Sequence, residues 1–96
     1  TDQDRYMGTP TLVVEILSNR TRTKDMIDKL NTYRLSGVQE YWIVDPRQKN
    51  IIVYRLENHE IQRYKVYEQG GLAESAVFAG LEVSVTELFG NRYLER

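Results

Sequence analysis

The sequence predicts an α/β fold, because a strand–helix–strand unit is followed by an antiparallel hairpin. The first predicted strand, residues 12–17, is a nearly continuous apolar run, as in strands that are covered on both faces. Apolar residues then recur at helical spacing over residues 22–35, and a second apolar strand covers residues 40–45. Because the connections are short, we expect the two strands to be parallel, with a right-handed crossover.

The predicted helix begins after a polar turn and ends at a glycine. Thr21 or Thr23 can cap its first turn by accepting a hydrogen bond from a free backbone amide. Asp25 lies in that turn, where the helix dipole favours negative charge. Gly37 follows the last helical residues and is suited to a left-handed C-cap. These signals give the helix bounds 22–35.

A hairpin is predicted after the second strand. Asp45-Pro46 is a turn signal that ends this strand. Residues 51–56 and 61–67 then alternate in polarity, and Asn58-His59 lies between them at the expected turn. The chain therefore combines parallel and antiparallel strands.

The C-terminal part has a less regular pattern. Residues 74–78 are predicted as a short strand, followed by a turn at Ala79-Gly80 and an alternating segment over residues 81–85. Residues 85–89 are expected to form a helical turn. No linker or internal repeat divides the sequence, so residues 1–96 are interpreted as a single domain.

Composition limits the classes of function. Thirteen basic and 14 acidic residues nearly cancel, so any nucleic-acid surface must be a local patch. The sequence contains no cysteine, which excludes disulfides and thiolate metal sites and allows a reducing compartment. No apolar run approaches membrane-spanning length, and no signal peptide precedes Gly8. We expect a soluble, cytoplasmic protein without a membrane partner.

Glu15 interrupts the apolar run of the first strand, and burying an unpaired carboxylate costs several kcal/mol. Glu15 either reaches water or a basic neighbour at the end of the strand, or it is a metal ligand or catalytic acid. Asp25, Lys29 and Tyr33 share one side of the helix. Lys29 therefore either forms an exposed pair with Asp25 or points back to the strand end, beside Glu15.

The other chemistry-bearing residues give weaker signals. No phosphate-binding loop, dinucleotide glycine fingerprint or Gly-x-Ser-x-Gly motif is present. His59, the only histidine, is expected to be a solvated turn residue. Most tyrosines are expected to pack or pair across strands, among them Tyr41, Tyr54, Tyr64 and Tyr67.

Three basic residues, Arg20, Arg22 and Lys24, cluster where the helix begins. They either belong to a solvated loop or contact a phosphate group that lies beside Glu15. The second interpretation makes them candidate nucleic-acid-binding residues.

Linked motifs along the chain carry a family resemblance. The succession TPTLVVEILS, TRTKDMIDKLNTYRLSGVQEYWIVDP, a hairpin and AGLEVSVTELF runs from Gly8 to Phe89. It resembles the Uma-two family of restriction-endonuclease-like proteins, in the PD-(D/E)xK nuclease superfamily. The resemblance implies a restriction-endonuclease-like mixed sheet flanked by helices, with a metal-dependent site that cleaves phosphodiester bonds in DNA.

The resemblance also assigns roles to residues. Glu15 matches the acidic residue of the (D/E)xK element, whereas Leu17 stands in the place of its lysine. Lys29 matches the position to which the family has moved that lysine. Glu15 would then help to hold Mg²⁺, which prefers oxygen ligands. Lys29 would orient or activate the attacking water and stabilise charge on the phosphate.

The sequence also departs from the family pattern. Thr11 stands where the family usually has aspartate, and the first metal-binding aspartate of the superfamily lies on an earlier strand. We therefore expect a core that lacks its N-terminal part and an incomplete magnesium site.

Two functions remain open. The first is a nuclease domain that uses Glu15 and Lys29, with Asp25 as a further candidate. The second is a catalytically inactive module for interaction or oligomerisation. An exposed apolar face on the strand 12–17 would favour a homodimer, because dimerisation would cover it.

Overall fold

A four-stranded sheet forms the centre of the computed structural model, which describes residues 8–90. The elements in chain order are β1 (Leu12–Ile16), α1 (Thr23–Ser36), β2 (Glu40–Asp45), β3 (Asn50–Glu57), β4 (Glu60–Tyr67), β5 (Leu72–Glu74), β6 (Glu82–Ser84) and α2 (Val85–Phe89). The sheet order is β1-β2-β3-β4, in which β1 and β2 are parallel and the other neighbours are antiparallel. β5 and β6 pair in a separate two-stranded sheet. The mixed α/β architecture is therefore confirmed.

The two faces of the main sheet bury different partners. Side chains of β2 alternate between the faces, and all but the last residue of this strand are buried. One face packs against α1. The buried core on this face consists of Val38, Tyr41, Ile43 and Leu56, and the helix contributes the partly buried side chains of Met26, Leu30 and Tyr33. The other face packs against the small sheet and α2, and its core contains Trp42, Val44, Ile51, Val53, Ala73 and Val85. The predicted packing of the helix on the sheet is confirmed.

The ends of α1 differ partly from the prediction. Neither predicted threonine is the N-cap: Arg22 occupies that position, and its amide donates a hydrogen bond to Asp25 Oδ2 at 3.3 Å. Thr21 Oγ1 accepts instead from the amide of Ser18, at 3.0 Å. Gly37 adopts the expected left-handed C-cap, with φ of 93°. Within residues 8–90, no helix combines the length and hydrophobicity needed to cross a membrane.

The hairpin between β3 and β4 closes at the predicted turn. Asn58 and His59 have φ values of 55° and 65°, as a two-residue type I′ turn requires. Asparagine and histidine are among the side chains that tolerate this region best. Arg34 Nη1 donates a hydrogen bond to the carbonyl of His59 at 2.8 Å, which joins α1 to the turn.

The predicted strand over residues 74–78 is wrong, because the chain leaves the small sheet after Glu74. The hydroxyl of Ser75 accepts hydrogen bonds from the amides two and three residues further on, at 3.2 and 2.8 Å. The carboxylate of Glu40 accepts two more amide hydrogen bonds from this segment. These amides are committed to side-chain acceptors, so they do not enter a strand ladder.

Glu40 is fully buried at the start of β2. One of its carboxylate oxygens accepts a hydrogen bond from Trp42 Nε1 at 2.5 Å. The other accepts from the amides of Ala76 and Val77, both at 2.9 Å. Charge-assisted hydrogen bonds of this kind compensate the cost of burying a carboxylate. Glu40 therefore attaches the segment after β5 to the main sheet.

β1 is an edge strand with exposed apolar side chains. The amide of Leu17 donates a hydrogen bond to the carbonyl of Val44 at 2.9 Å. Because backbone groups of successive strand residues point to opposite sides, the odd-numbered residues of this segment direct their backbone groups at β2. The backbone groups of Leu12, Val14 and Ile16 consequently point away from β2. The side chains of Val14 and Ile16 are 48% and 70% exposed. They line an apolar hollow of about 230 Å³ together with residues near β6 and α2.

We expect substitutions of Glu40 to destabilise the fold. In Glu40→Gln the new amide group directs its NH₂ either at the indole N–H or at the two backbone amides, so donors face donors. The cost is about 1–3 kcal/mol, as for an unsatisfied buried polar group. Glu40→Ala removes all three acceptor contacts and is expected to cost roughly 2–4 kcal/mol.

Urea unfolding followed by circular dichroism measures both changes. The matched control is Glu60→Gln, because Glu60 is an exposed glutamate on β4. Equal unfolding midpoints for Glu40→Ala and this control would show that the buried carboxylate contributes no net stability.

Candidate functional site

Glu15 and Lys29 form an ion pair between β1 and α1. The strand alternation places Glu15 on the sheet face that packs against α1, and Lys29 lies in the second turn of that helix. Lys29 Nζ donates a hydrogen bond to Glu15 Oε1 at 2.7 Å. The side chain of Glu15 is 26% exposed and that of Lys29 is 51% exposed. The contact predicted from the sequence is present, and Lys29 points towards the strand rather than pairing with Asp25.

The pair also shifts the pKa of the lysine. The hydrogen bond to Glu15 raises the pKa of Lys29, and the negative charge of Glu15 raises it further. The ammonium group, like that of an ordinary lysine, is charged at neutral pH, and the pair extends the charged range to higher pH. A charged, half-exposed donor beside a carboxylate can contact an anionic substrate without first gaining a proton.

An open cleft of about 430 Å³ adjoins the pair. It lies between the end of β1, the following turn and the N-terminal half of α1. Its lining residues are Glu15, Leu17, Ser18, Arg20, Thr21, Asp25, Met26, Asp28, Lys29 and Tyr41. Of the three basic residues predicted to bind nucleic acid, only Arg20 belongs to this lining.

The turn that carries Arg20 is held by its own hydrogen bonds. The amide of Ser18 donates to Thr21 Oγ1 at 3.0 Å, and the amide of Thr21 donates to the Ser18 carbonyl at 3.1 Å. The Arg20 amide donates to Ser18 Oγ at 3.2 Å. Serine and threonine hydroxyls stabilise short turns in this manner. The turn thus positions Arg20 at the edge of the cleft.

Lys24 makes an ion pair of its own. Its ammonium group lies 2.9 Å from Asp28 Oδ2, and the two side chains are 82% and 58% exposed. The hydrogen bond and the charge of Asp28 raise the pKa of Lys24. An exposed pair one turn apart adds little stability. Nucleic-acid binding by Arg20, Arg22 and Lys24 stays a prediction.

Tyr41 is a residue of the cleft that was predicted from the sequence only to pack or to pair across strands. It packs as expected, since it is 1% exposed and its ring centroid lies 4.9 Å from that of Tyr33. It also lines the cleft beside the ion pair. Burial raises the pKa of Tyr41, and the charge of Glu15 raises it further, so its hydroxyl stays protonated. The strand register places Tyr41 beside Glu15. Val13 pairs with Tyr41 and Glu15 pairs with Ile43 in the parallel strands, so all four side chains lie on the same sheet face.

The described residues supply an incomplete set of ligands for Mg²⁺. Within residues 8–90, no group of three acidic or histidine side chains is arranged to hold a metal ion. Glu15 has the hard oxygen chemistry that Mg²⁺ prefers, but one of its oxygens bonds Lys29. Asp25 and Asp28 line the same cleft, but both carboxylates already accept hydrogen bonds. Asp25 accepts from the amide of Arg22, and Asp28 accepts from the ammonium group of Lys24. Glu15 therefore fits as a single ligand and not as a complete site.

The fold and the site together define a restriction-endonuclease-like domain: a mixed sheet with an acidic strand residue that meets a lysine of the crossover helix. The family model described as "Uma2: Putative restriction endonuclease" matches residues 1–86. The chain therefore belongs to the Uma2 family.

A solved structure supports the same class. The chain is similar to a crystal structure described as a putative nuclease belonging to DUF820 from Anabaena variabilis, with a TM-score of 0.71 and 27% sequence identity. The similarity covers 86% of this chain and 45% of the other, so the chain spans less than half the length of that nuclease. Among curated proteins, none matches the chain significantly.

We predict that Glu15→Gln lowers the pKa of Lys29 towards its ordinary value, because the negative charge is removed and an amide oxygen accepts a weaker hydrogen bond than a carboxylate. A raised pKa means that the pair contributes stability below about pH 10.4, the ordinary lysine pKa, and loses this contribution as the pH rises through the raised pKa. Titration of the Lys29 side chain by NMR measures the change.

The second ion pair provides the control. Asp28→Asn should lower the pKa of Lys24 and leave that of Lys29 unchanged. If Lys29 titrates identically in the native chain and in Glu15→Gln, the ion pair does not persist in solution.

Proposed function

We propose that the chain provides part of the active site of a Mg²⁺-dependent endonuclease that hydrolyses phosphodiester bonds in DNA. The observation that carries this proposal is the 2.7 Å contact between Glu15 and Lys29 at an open cleft. The family membership and the similarity to a nuclease structure support it. A cytoplasmic location is part of the proposal, because intracellular DNA is the substrate.

Lys29 is the proposed electrostatic group. Its ammonium is half-exposed at the cleft while one of its protons bonds Glu15. The remaining N–H groups would donate to a non-bridging phosphate oxygen and to the attacking water. An ammonium group placed in advance at that position stabilises negative charge as it develops in the transition state.

Glu15 is proposed to hold Lys29 in place and to be one oxygen ligand of Mg²⁺. The ion, when bound, would supply Lewis-acid stabilisation of the phosphate. Mg²⁺ sites in nucleases and related enzymes commonly use one or two carboxylates together with phosphate and water oxygens. Since the residues 8–90 provide an incomplete set, further ligands are proposed to come from outside this part of the protein.

DNA would enter beside the turn after β1. Arg20 at the cleft edge would contact a phosphate next to the scissile one, and Arg22 and Lys24 would add charge near the start of α1. Tyr41 would donate a hydrogen bond from the floor of the cleft.

A plasmid-nicking assay with Mg²⁺ or Mn²⁺ tests the activity. We expect Glu15→Gln and Lys29→Met each to reduce nicking by at least about a hundredfold, the effect of removing a group that stabilises transition-state charge. Lys49→Gln, in the turn after β2, is the matched control and should retain activity. Activity that survives Glu15→Gln would place the reaction elsewhere.

An NMR titration with Mg²⁺ provides a readout independent of turnover. The side-chain resonances of Glu15 should shift only weakly, because a single, already paired carboxylate binds Mg²⁺ poorly. Lys29→Met should strengthen the shift, since it frees the carboxylate and removes a competing positive charge. A shift confined to other acidic residues would contradict the proposed role of Glu15.

A second candidate function, an oligomerisation module, is favoured by the exposed edge of β1. The outward backbone groups of Leu12, Val14 and Ile16 are accompanied by apolar side chains of the same residues. A second copy of the chain offers an identical strand, so antiparallel pairing about a twofold axis would satisfy both edges.

We therefore expect a homodimer at micromolar concentration by size-exclusion chromatography with light scattering. Ile16→Lys should produce a monomer, because Ile16 is 70% exposed at this edge. Ile27→Lys is the matched control, since Ile27 is 53% exposed on α1, away from the strand edge. A stable native monomer would exclude this assembly.

A further inference from the structure

A second charged feature lies on the sheet face opposite to the Glu15–Lys29 pair. It is an open groove of about 360 Å³ between the β3–β4 hairpin and the chain that follows β5. Arg55, Arg63 and Lys65 line it, and Glu74 is the acidic residue of its lining. Arg63, Lys65 and Glu74 are exposed and Arg55 is half-buried, so their charged groups are accessible.

The two arginines are direct cross-strand partners. Arg55 on β3 is paired in register with Arg63 on β4, beside a β-bulge. Like charges that face each other across two strands destabilise a sheet. Neither arginine forms an ion pair with an acidic side chain of the residues 8–90. The two like charges therefore face each other, and an anion bound between them would offset their repulsion.

The nearest strand partner with opposite charge does not neutralise them. Glu40 on β2 is the other cross-strand partner of Arg55, but the two side chains form no salt bridge. The carboxylate of Glu40 is buried and its oxygens accept hydrogen bonds from Trp42 and from two backbone amides. The positive charge of Arg55 therefore remains directed at the groove.

Lys65 extends the positive surface along β4. It lies two residues after Arg63, which corresponds to about 7 Å along a strand. Its ammonium group is 5.0 Å from the ring centroid of Tyr67, a cation–π contact on the groove side. The groove thus presents two separated sets of donors and an aromatic ring.

We infer that this groove binds the phosphodiester backbone of a nucleic acid strand, with one phosphate between Arg55 and Arg63 and a neighbouring phosphate at Lys65. Guanidinium groups bind phosphate through paired hydrogen bonds, which suits an anion held between two arginines. The choice of nucleic acid over other phosphate ligands rests on the proposed function. The groove itself is separate from the cleft, because the two lie on opposite faces of the sheet.

Fluorescence anisotropy of a labelled oligonucleotide in EDTA tests the inference without cleavage. The double variant Arg55→Gln with Arg63→Gln should bind about tenfold more weakly at low salt. The slope of log affinity against log salt should decrease by about 0.9 for duplex DNA, since the contact to one phosphate is lost. Glu74→Gln should instead tighten binding about twofold to threefold, because it removes a repulsive charge from the groove.

The control removes the same charge elsewhere. Arg47→Gln with Lys49→Gln lies in the turn between β2 and β3, outside the groove lining, and should reduce binding much less. Thermal unfolding shows whether each variant is folded; the arginine double variant should be at least as stable as the native chain, because a like-charge pair is removed. Glu74→Gln keeps both arginines and gives an answer even if that double variant does not fold.

Competition identifies the anion. Oligonucleotide binding that resists millimolar pyrophosphate supports a site for the polymeric backbone. Equal affinity for free pyrophosphate, or tighter binding of poly-glutamate, would overturn it. Equal losses in the arginine and control variants, or no gain from Glu74→Gln, would do the same. Since no divalent ion is present, absence of nuclease activity would leave this result unaffected.

Discussion

The burial of β2 on both faces is the constraint on which the rest of the structure depends. This strand pairs with β1 on one side and β3 on the other, and its side chains alternate between two separate cores. Parallel pairing with β1 then decides which residues of that strand face α1. Glu15 faces the helix because it shares a sheet face with Tyr41 and Ile43 of β2. The ion pair with Lys29 follows from this geometry.

Two glutamates in neighbouring strands show how surroundings determine role. Glu40 is fully buried, and neutral N–H donors occupy both of its oxygens. Its carboxylate is therefore committed to holding the segment after β5. Glu15 is partly exposed beside a cleft, and its principal partner is the half-exposed ammonium group of Lys29. A carboxylate and an ammonium group that remain accessible can both contact a substrate, which is why the proposed chemistry is assigned to this pair.

Charge is distributed locally rather than across the whole surface. The net charge of −1 provides no general attraction for nucleic acid. Basic groups are instead concentrated at the cleft edge, at Arg20, and on the opposite sheet face, at Arg55 and Arg63. Acidic groups near each set, such as Asp28 and Glu74, limit the local field. Contacts with individual phosphates, rather than a large positive potential, would therefore govern binding.

Local patterns in the sequence determined the order of the elements, since hydrophobic period, Gly37 and the Asn58-His59 turn act over a few residues. Only the tertiary structure decided how distant groups combine. Glu40 bonds amides 36 and 37 residues away, which turned the predicted strand 74–78 into a turn. The pairing of Arg55 with Arg63 likewise depended on the hairpin register and its bulge. The periodicity of apolar residues in the sequence indicates which face of a strand or helix a side chain occupies. It does not indicate which hydrogen-bond donor or charged group from a distant part of the chain lies on the same face.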